Sequence, residues 1–261
     1  MARSLIGGLI ANGIRPEKLT ATDPNSDQRH AITDQFGITT LADNKEAIAN
    51  ADVVLLAVKP QVMHDVISDI AESIKDKNKL IISIAAGVKL GSIMKWLGDN
   101  TAVVRVMPNT PALIQAGAAA IIANEYTSDS HKSIAEAMMR SVGTAIWLDS
   151  EEQMDAVTAL SGSGPAYFFY FMEAMEKAAI EMGLNNEQAR LLTIETAVGA
   201  AKMALMSSSD PAELRKQVTS PGGTTEQALN TFIANNMETL VEKAMQAAKQ
   251  RSIELSEEFG K

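Results

Sequence analysis

Hydrophobic and polar residues follow two different patterns along the chain. From residue 18 to about residue 149, short apolar runs alternate with stretches whose apolar residues recur at helical spacing. The runs predict strands at 18–22, 52–58, 79–85, 102–107, 118–123 and 144–148. Several are apolar at every position, such as Val53-Val54-Leu55-Leu56-Ala57-Val58, which predicts burial on both faces of a helix-covered sheet. Helices are predicted between them at 26–35, 45–50, 61–74, 92–97 and 130–141. This alternation is the pattern of a doubly wound α/β sheet. After about residue 150 the strand-like runs stop. Helices are predicted at 151–160, 165–182, 186–207, 211–218, 224–235 and 237–259. Pro165, Pro211 and Pro221 fall near helix starts, where proline is tolerated. The pattern therefore predicts an α/β domain at 1–150 and an all-α domain at 151–261.

Residues 1–13 read as a helix. Leu5, Ile6, Leu9 and Ile10 share a face, and Asn12-Gly13 is a stop signal. A signal peptide fits less well, since no A-x-A cleavage site follows. The helix at 165–182 carries Tyr167-Phe168-Phe169-Tyr170-Phe171, five of the eleven aromatic residues. Consecutive helical positions point all round the axis, so these rings need cover on every side. A second subunit is expected to supply part of it.

Composition narrows the chemistry. The 261 residues include no cysteine, which excludes disulfides, thiol catalysis and Cys-bound metals. The three histidines, His30, His64 and His131, lie at no metal-ligand spacing, so no metal site is expected. The net charge of −9 argues against a nucleic-acid binder with a basic face. Residues 1–149 carry net −2 and residues 150–261 net −7. No apolar run approaches the length of a membrane-spanning helix, so no membrane partner is expected. With so few acid–base side chains, the hard chemistry is expected from a bound cofactor.

Four strand exits and one loop could bind small molecules. The run at 18–22 followed by Asp23-Pro24-Asn25-Ser26 has the form of a second strand and its exit turn, which in nucleotide-binding folds meets the adenosine ribose. Asp23 favours a ribose 2′-hydroxyl; Asn25, Ser26 and Arg29 favour a 2′-phosphate; helix capping explains Asn25 and Ser26 equally well. Ala57-Val58-Lys59-Pro60, Ala85-Ala86-Gly87 and Met107-Pro108-Asn109 also sit at strand exits, where small residues let a flat ring approach. Thr219-Ser220-Pro221-Gly222-Gly223-Thr224-Thr225 sets two glycines and several hydroxyls before a helix. Such a turn can aim backbone N–H groups at a carboxylate, although it also reads as an ordinary interhelical turn.

Taken together, these segments resemble the pyrroline-5-carboxylate reductase family. The residues that carry the resemblance are Ala57-Val58-Lys59-Pro60, Ala85-Ala86-Gly87-Val88 and Arg105-Val106-Met107-Pro108-Asn109-Thr110-Pro111, then Leu160-Ser161-Gly162-Ser163-Gly164-Pro165-Ala166-Tyr167 and Ser220-Pro221-Gly222-Gly223-Thr224-Thr225. They run through the chain in the family's order, and the last two are the specific ones. The resemblance implies reduction of 1-pyrroline-5-carboxylate to L-proline, the last step of proline biosynthesis, in the cytoplasm. It implies NADPH as hydride donor, with NADH left open. It implies a Rossmann-like nucleotide domain and a helical domain that forms a homodimer, with dimers assembling further. Ser220, Gly222, Gly223, Thr224 and Thr225 are then expected to hold the substrate carboxylate, with the Thr225 hydroxyl as catalytic group near the ring nitrogen. Asn25, Ser26, Asn44, Ala57, Val58, Lys59, Pro60, Ala86 and Asn109 are expected to line the cofactor site.

The chain departs from the family at its start. The family's first strand and glycine-rich phosphate turn lie just upstream of what is here Met1, and residues 1–5 match the helix that follows them. The expected domain is thus N-terminally truncated, and the expected explanation is a start codon misassigned downstream of the true one. One alternative is a catalytically impaired dimeric scaffold. Another is a 3-hydroxyacid dehydrogenase using Lys177 or Lys202, though neither lies in a matching motif.

Overall fold

The computed structural model describes residues 1–75, 78–98 and 100–260. By internal contacts the chain separates into an α/β unit, Met1–Ser163 with Ala248–Lys261, and a helical unit, Gly164–Ala247. No helix among the described residues is long and apolar enough to cross a membrane.

The α/β unit opens with α1 (Ala2–Ala11), which buries Leu5 and Gly8 and is capped by Asn12. Strand β1 (Thr20–Thr22), helix α2 (Ser26–Phe36) and strand β2 (Thr39–Leu41) follow, and β1 pairs parallel with β2 in a two-stranded sheet. The pattern had offered no strand at 39–41. Three residues are too few to show a period, and the pairing with β1 makes the strand. After α3 (Asn44–Ala49) comes a five-stranded sheet in sequence order. It comprises β3 (Val53–Leu56), β4 (Leu80–Ser83), β5 (Ala102–Met107), β6 (Gly117–Ala123) and β7 (Gly143–Trp147), with α4 (Met63–Ile74), α5 (Leu90–Leu97) and α6 (Asp129–Arg140) between them. All pairs are parallel except β5 with β6.

Alternate strand residues feed two cores. Ile81 and Val103 face α4 and α5, with Met63, Ile67 and Ile93. Leu80, Ile82, Val104 and Val106 face α1 and α6, with Leu5 and Met139. Helices thus cover both faces, as a doubly wound sheet requires. β4 is buried at all four positions, as an all-apolar run predicts. β3 differs from expectation: only Leu56 is fully buried, and the strand stops there instead of running to Val58. The cause is its place in the sheet. Among the described residues β3 pairs only with β4 and β1 only with β2, so each has an open edge and the sheet is interrupted between them.

α7 (Gln153–Val157) continues into a π-helical turn, Thr158–Gly162. The change of pattern at residue 150 therefore falls inside the α/β unit, because α7 buries Met154 in that unit's core. The helical unit holds α8 (Gly164–Glu181), α9 (Asn186–Met206), α10 (Pro211–Gln217), α11 (Thr224–Ala234) and the first part of α12 (Met237–Phe259). Local signals start these helices. Asn185 and Gln188 form a capping box for α9, and Asp210 caps α10 before Pro211. Only Gly164, Ala189 and Thr193 are buried in this unit, so it lacks a core within one chain.

Candidate active site

Parallel register lines up the strand exits of the α/β unit. Leu56 pairs with Ser83 and Ser83 with Arg105, so β3 and β4 end together while β5 runs on to Met107 at the same edge. The loops with Ala57, Val58, Lys59 and Pro60, with Ala86, and with Pro108 and Asn109 therefore leave one edge of one sheet. Ala57 and Lys59 are exposed, and Val58, Pro60 and Ala86 half-buried. Small, accessible residues at a carboxyl edge fit the approach of a nicotinamide ring.

β1 and β2 likewise end together, and Asp23 N–H donates to the Leu41 carbonyl. This brings the Asn25-Ser26 turn beside the start of α3, where Asn44 follows its cap, Asp43. The turn is tightly built. Asn25 N–H donates to Asp23 Oδ1 at 2.8 Å, and the Asn25 Oδ1 accepts from the N–H groups of Asp27 and Gln28. Arg29 donates to the carbonyls of Asp23 and Pro24. The capping reading of Asn25 thus holds, and its carbonyl oxygen is committed to α2. Next to Asn44, Lys45 pairs with Asp69 at 2.5 Å, and that hydrogen bond holds the ammonium above its ordinary value.

Asn109 follows β5 at the same edge. Its Nδ2 donates to the Ser161 carbonyl at 3.1 Å, and its Oδ1 accepts the Ala118 N–H at 2.8 Å. These bonds tie the strand exit to β6 and to the π-turn, and they leave one N–H and one lone pair of the amide uncommitted.

In the helical unit, the Ser220-to-Thr225 loop leads into α11. Gly222 has φ +72°, a left-handed conformation that glycine adopts without strain. Gly223 N–H closes the turn on the Ser220 carbonyl at 3.0 Å. Gly223 is the N-cap, and no side chain caps the helix there. The N–H groups of Thr224 and Thr225 stand in the first turn, where an α-helix gives amides no internal partner. Gly222 N–H already donates to a carboxylate, Glu226 Oε2, at 2.8 Å. The loop therefore presents amides suited to a carboxylate at the positive end of a helix dipole. Gly223 and Thr225 are half-buried, and Ser220, Gly222 and Thr224 are exposed. Phe232, two turns along α11, stacks against Phe171 of α8 with ring centroids 6.2 Å apart.

Three polar groups went unnoticed in the sequence: Glu151, which is half-buried, and Asp155 and Ser252, which are buried. Glu151 accepts from Arg105 at 2.6 Å and from the Leu90 N–H at 2.8 Å. Asp155 accepts from Ser252 at 2.7 Å. No motif marks them, because each gains meaning from a partner far along the chain.

Comparison with known proteins supplies the family. Residues 151–255 match the model described as pyrroline-5-carboxylate reductase dimerisation, and residues 1–87 match that of the NADP oxidoreductases, coenzyme F420-dependent. A pyrroline-5-carboxylate reductase of Pseudomonas aeruginosa is 52% identical over 260 residues, spanning 100% of this chain and 95% of the relative. The structure of a pyrroline-5-carboxylate reductase from Coxiella burnetii superposes with a TM-score of 0.94 at 45% identity, covering 98% of this chain and 94% of that one. A Plasmodium falciparum pyrroline carboxylate reductase with NADP bound superposes with a TM-score of 0.87 at 28% identity, over 98% of this chain and 94% of that one. With an α/β unit whose strand exits share one edge and a helical unit that matches the dimerisation model, the chain belongs to the pyrroline-5-carboxylate reductase family.

Proposed function

We propose that this protein reduces 1-pyrroline-5-carboxylate to L-proline, the last step of proline biosynthesis. Likeness to the reductases along the entire chain carries this reading, and it does not favour the impaired scaffold. NADPH, when bound, supplies a hydride to the imine carbon. Ala57, Val58, Lys59, Pro60 and Ala86 would hold its nicotinamide end, and Asn44, Ser26 and the Asn25 turn its adenosine end. In this scheme residues 1–150 serve the nucleotide, and 151–261 serve the substrate and the dimer.

The chain's own groups orient the acceptor. The loop of Ser220, Gly222, Gly223, Thr224 and Thr225 holds the substrate carboxylate: the two glycines shape the turn, and the N–H groups of Thr224 and Thr225, with the Ser220 hydroxyl, donate to it. Fixing one end of a small rigid ring restricts where its C=N bond lies, and such orientation is worth a large share of a two-reactant barrier. The Thr225 hydroxyl holds the ring nitrogen, which becomes a neutral secondary amine when the iminium carbon accepts the hydride and then takes a second proton from water. A substrate that arrives as the iminium requires no strong acid, which suits a site without histidine. The enzyme acts as a homodimer in the cytoplasm, and its dimers assemble further.

The test is direct. NADPH absorbance should fall when 1-pyrroline-5-carboxylate is added to the 261-residue protein, with proline as the product. No turnover under conditions where a related reductase works would overturn the reading.

A further inference from the structure

The loop that carries Ala86 is held at both ends by one residue of β5. Strand β4 stops at Ser83 and α5 starts at Leu90. Between them Ala85, Gly87 and Val88 are buried, whereas Ala86 is half-buried. Gly87 takes φ +74°, and a Cβ there would lie 3.3 Å from the Phe259 ring and 3.4 Å from Leu255 Cβ on α12. At the near end of the loop, Ser83 is the register partner of Arg105. At the far end, Lys89 is the N-cap of α5 but gives it no side-chain cap. The Leu90 N–H donates instead to Glu151 Oε1 at 2.8 Å. The same oxygen accepts from Arg105 Nη1 at 2.6 Å. The Arg105 side chain is 3% exposed and that of Glu151 23%. Arg105 thus meets the start of the loop through its backbone and the end of it through Glu151.

We propose that Arg105 and Glu151 are positioning residues for the cofactor, which hold the Ala86 loop in the shape that receives the nicotinamide end. The inference rests on the reductase reading, in which Ala86 lines that part of the site. Every group involved belongs to the α/β unit. A buried ion pair is a weak source of net stability, since an apolar pair of similar volume often serves a core as well. Its distinctive contribution here is geometric. One carboxylate oxygen takes a guanidinium and a helix-start amide together, which no apolar side chain can do. The first N–H groups of an α-helix have no internal partner, and the positive end of the helix favours an anion. A loop already in its bound shape spares the ligand the cost of ordering it. Neither side chain touches the cofactor in this scheme.

The experiment compares Glu151→Gln, the double variant Arg105→Met/Glu151→Leu and Met139→Ala with wild type. Glu151→Gln keeps an acceptor for the Leu90 N–H. The double variant puts apolar side chains in place of the pair. Met139→Ala opens a cavity on the other face of the sheet and reports lost stability alone. Melting temperature, the Kd of NADPH, and the KM for 1-pyrroline-5-carboxylate are measured. Glu151→Gln and Met139→Ala should keep the NADPH Kd within about twofold of wild type. The double variant should melt no lower than Met139→Ala, yet its NADPH Kd should rise about tenfold. Its KM for 1-pyrroline-5-carboxylate should stay within about twofold. An unchanged NADPH Kd in the double variant overturns the proposal, as does an equal rise in Glu151→Gln or Met139→Ala. A double variant that melts below Met139→Ala, or does not fold, also overturns it, because the pair then serves the core and not the loop. A wild type that binds NADPH without reducing 1-pyrroline-5-carboxylate overturns the reductase reading and leaves the Kd comparison to decide this one. A wild type that binds no NADPH overturns both.

Discussion

The two units solve the problem of burial in opposite ways. The α/β unit closes its core within one chain: Ile81, Val103, Ile82 and Val104 are shut off from solvent between helices on both faces. The helical unit leaves its large apolar residues in the open, with Tyr170 74% and Leu205 86% exposed. Apolar exposure on this scale marks a surface built for a partner. The match of residues 151–255 to a dimerisation model identifies that partner as a second copy. The first unit is therefore stabilised by its own chain and the second by association, whose strength depends on concentration.

The strongest way to break this contrast is at the aromatic helix. Phe169→Glu should abolish the dimer and leave the helical unit unfolded or aggregated, because a charge at the interface loses its water without gaining a partner. Sedimentation and circular dichroism would show it, and a folded dimer would refute the assignment of this face. Next in size is the α/β core. Ile82→Ala should cost about 3 kcal/mol, measured by denaturant unfolding, while leaving the subunit count unchanged. A smaller effect is expected at the substrate loop. Thr225→Ala should slow turnover about tenfold, equivalent to about 1.4 kcal/mol, with NADPH binding retained. Equal loss of turnover and cofactor affinity would remove Thr225 from its role.

The smallest effect concerns acid. Glu136 accepts from Trp147 Nε1 at 2.8 Å and from Arg140 at 2.7 Å, which holds its carboxyl below the ordinary 4.5. Its folded value lies under the unfolded one, so its stabilising contribution is present above the unfolded value and is lost as pH falls through the folded value. Trp147→Phe should remove part of this dependence. Melting curves between pH 6 and pH 3 would lie closer to parallel in acid if the bond is absent.

Much of this was legible in the residues. Continuous apolar runs named five of the seven strands to within a few residues and a sixth by its tail, and helical spacing found every long helix. The glycine loop before α11 announced itself because left-handed backbone and uncapped amides demand particular residue types. Asn109 was found at its strand exit, but its bonds to the Ser161 carbonyl and the Ala118 N–H were not, since both partners come from other segments. β2 escaped because Thr39–Leu41 owes its state to pairing. Glu151, Asp155 and Ser252 left no trace, since buried polar groups are stabilised by partners remote in sequence.

By itself, then, the sequence determined the elements, the class of fold, the family and the need for a second copy. These follow from periodicity, local backbone preference and the amount of apolar surface, which act over short stretches of chain. The tertiary structure alone decided which strands met, that β3 stood at an edge with much of its apolar run half-exposed, and that Asn109 and Asp155 found their partners at Ser161 and Ser252. Those outcomes depend on hydrogen bonds closed across tens of residues, and only the folded chain brings their two ends together.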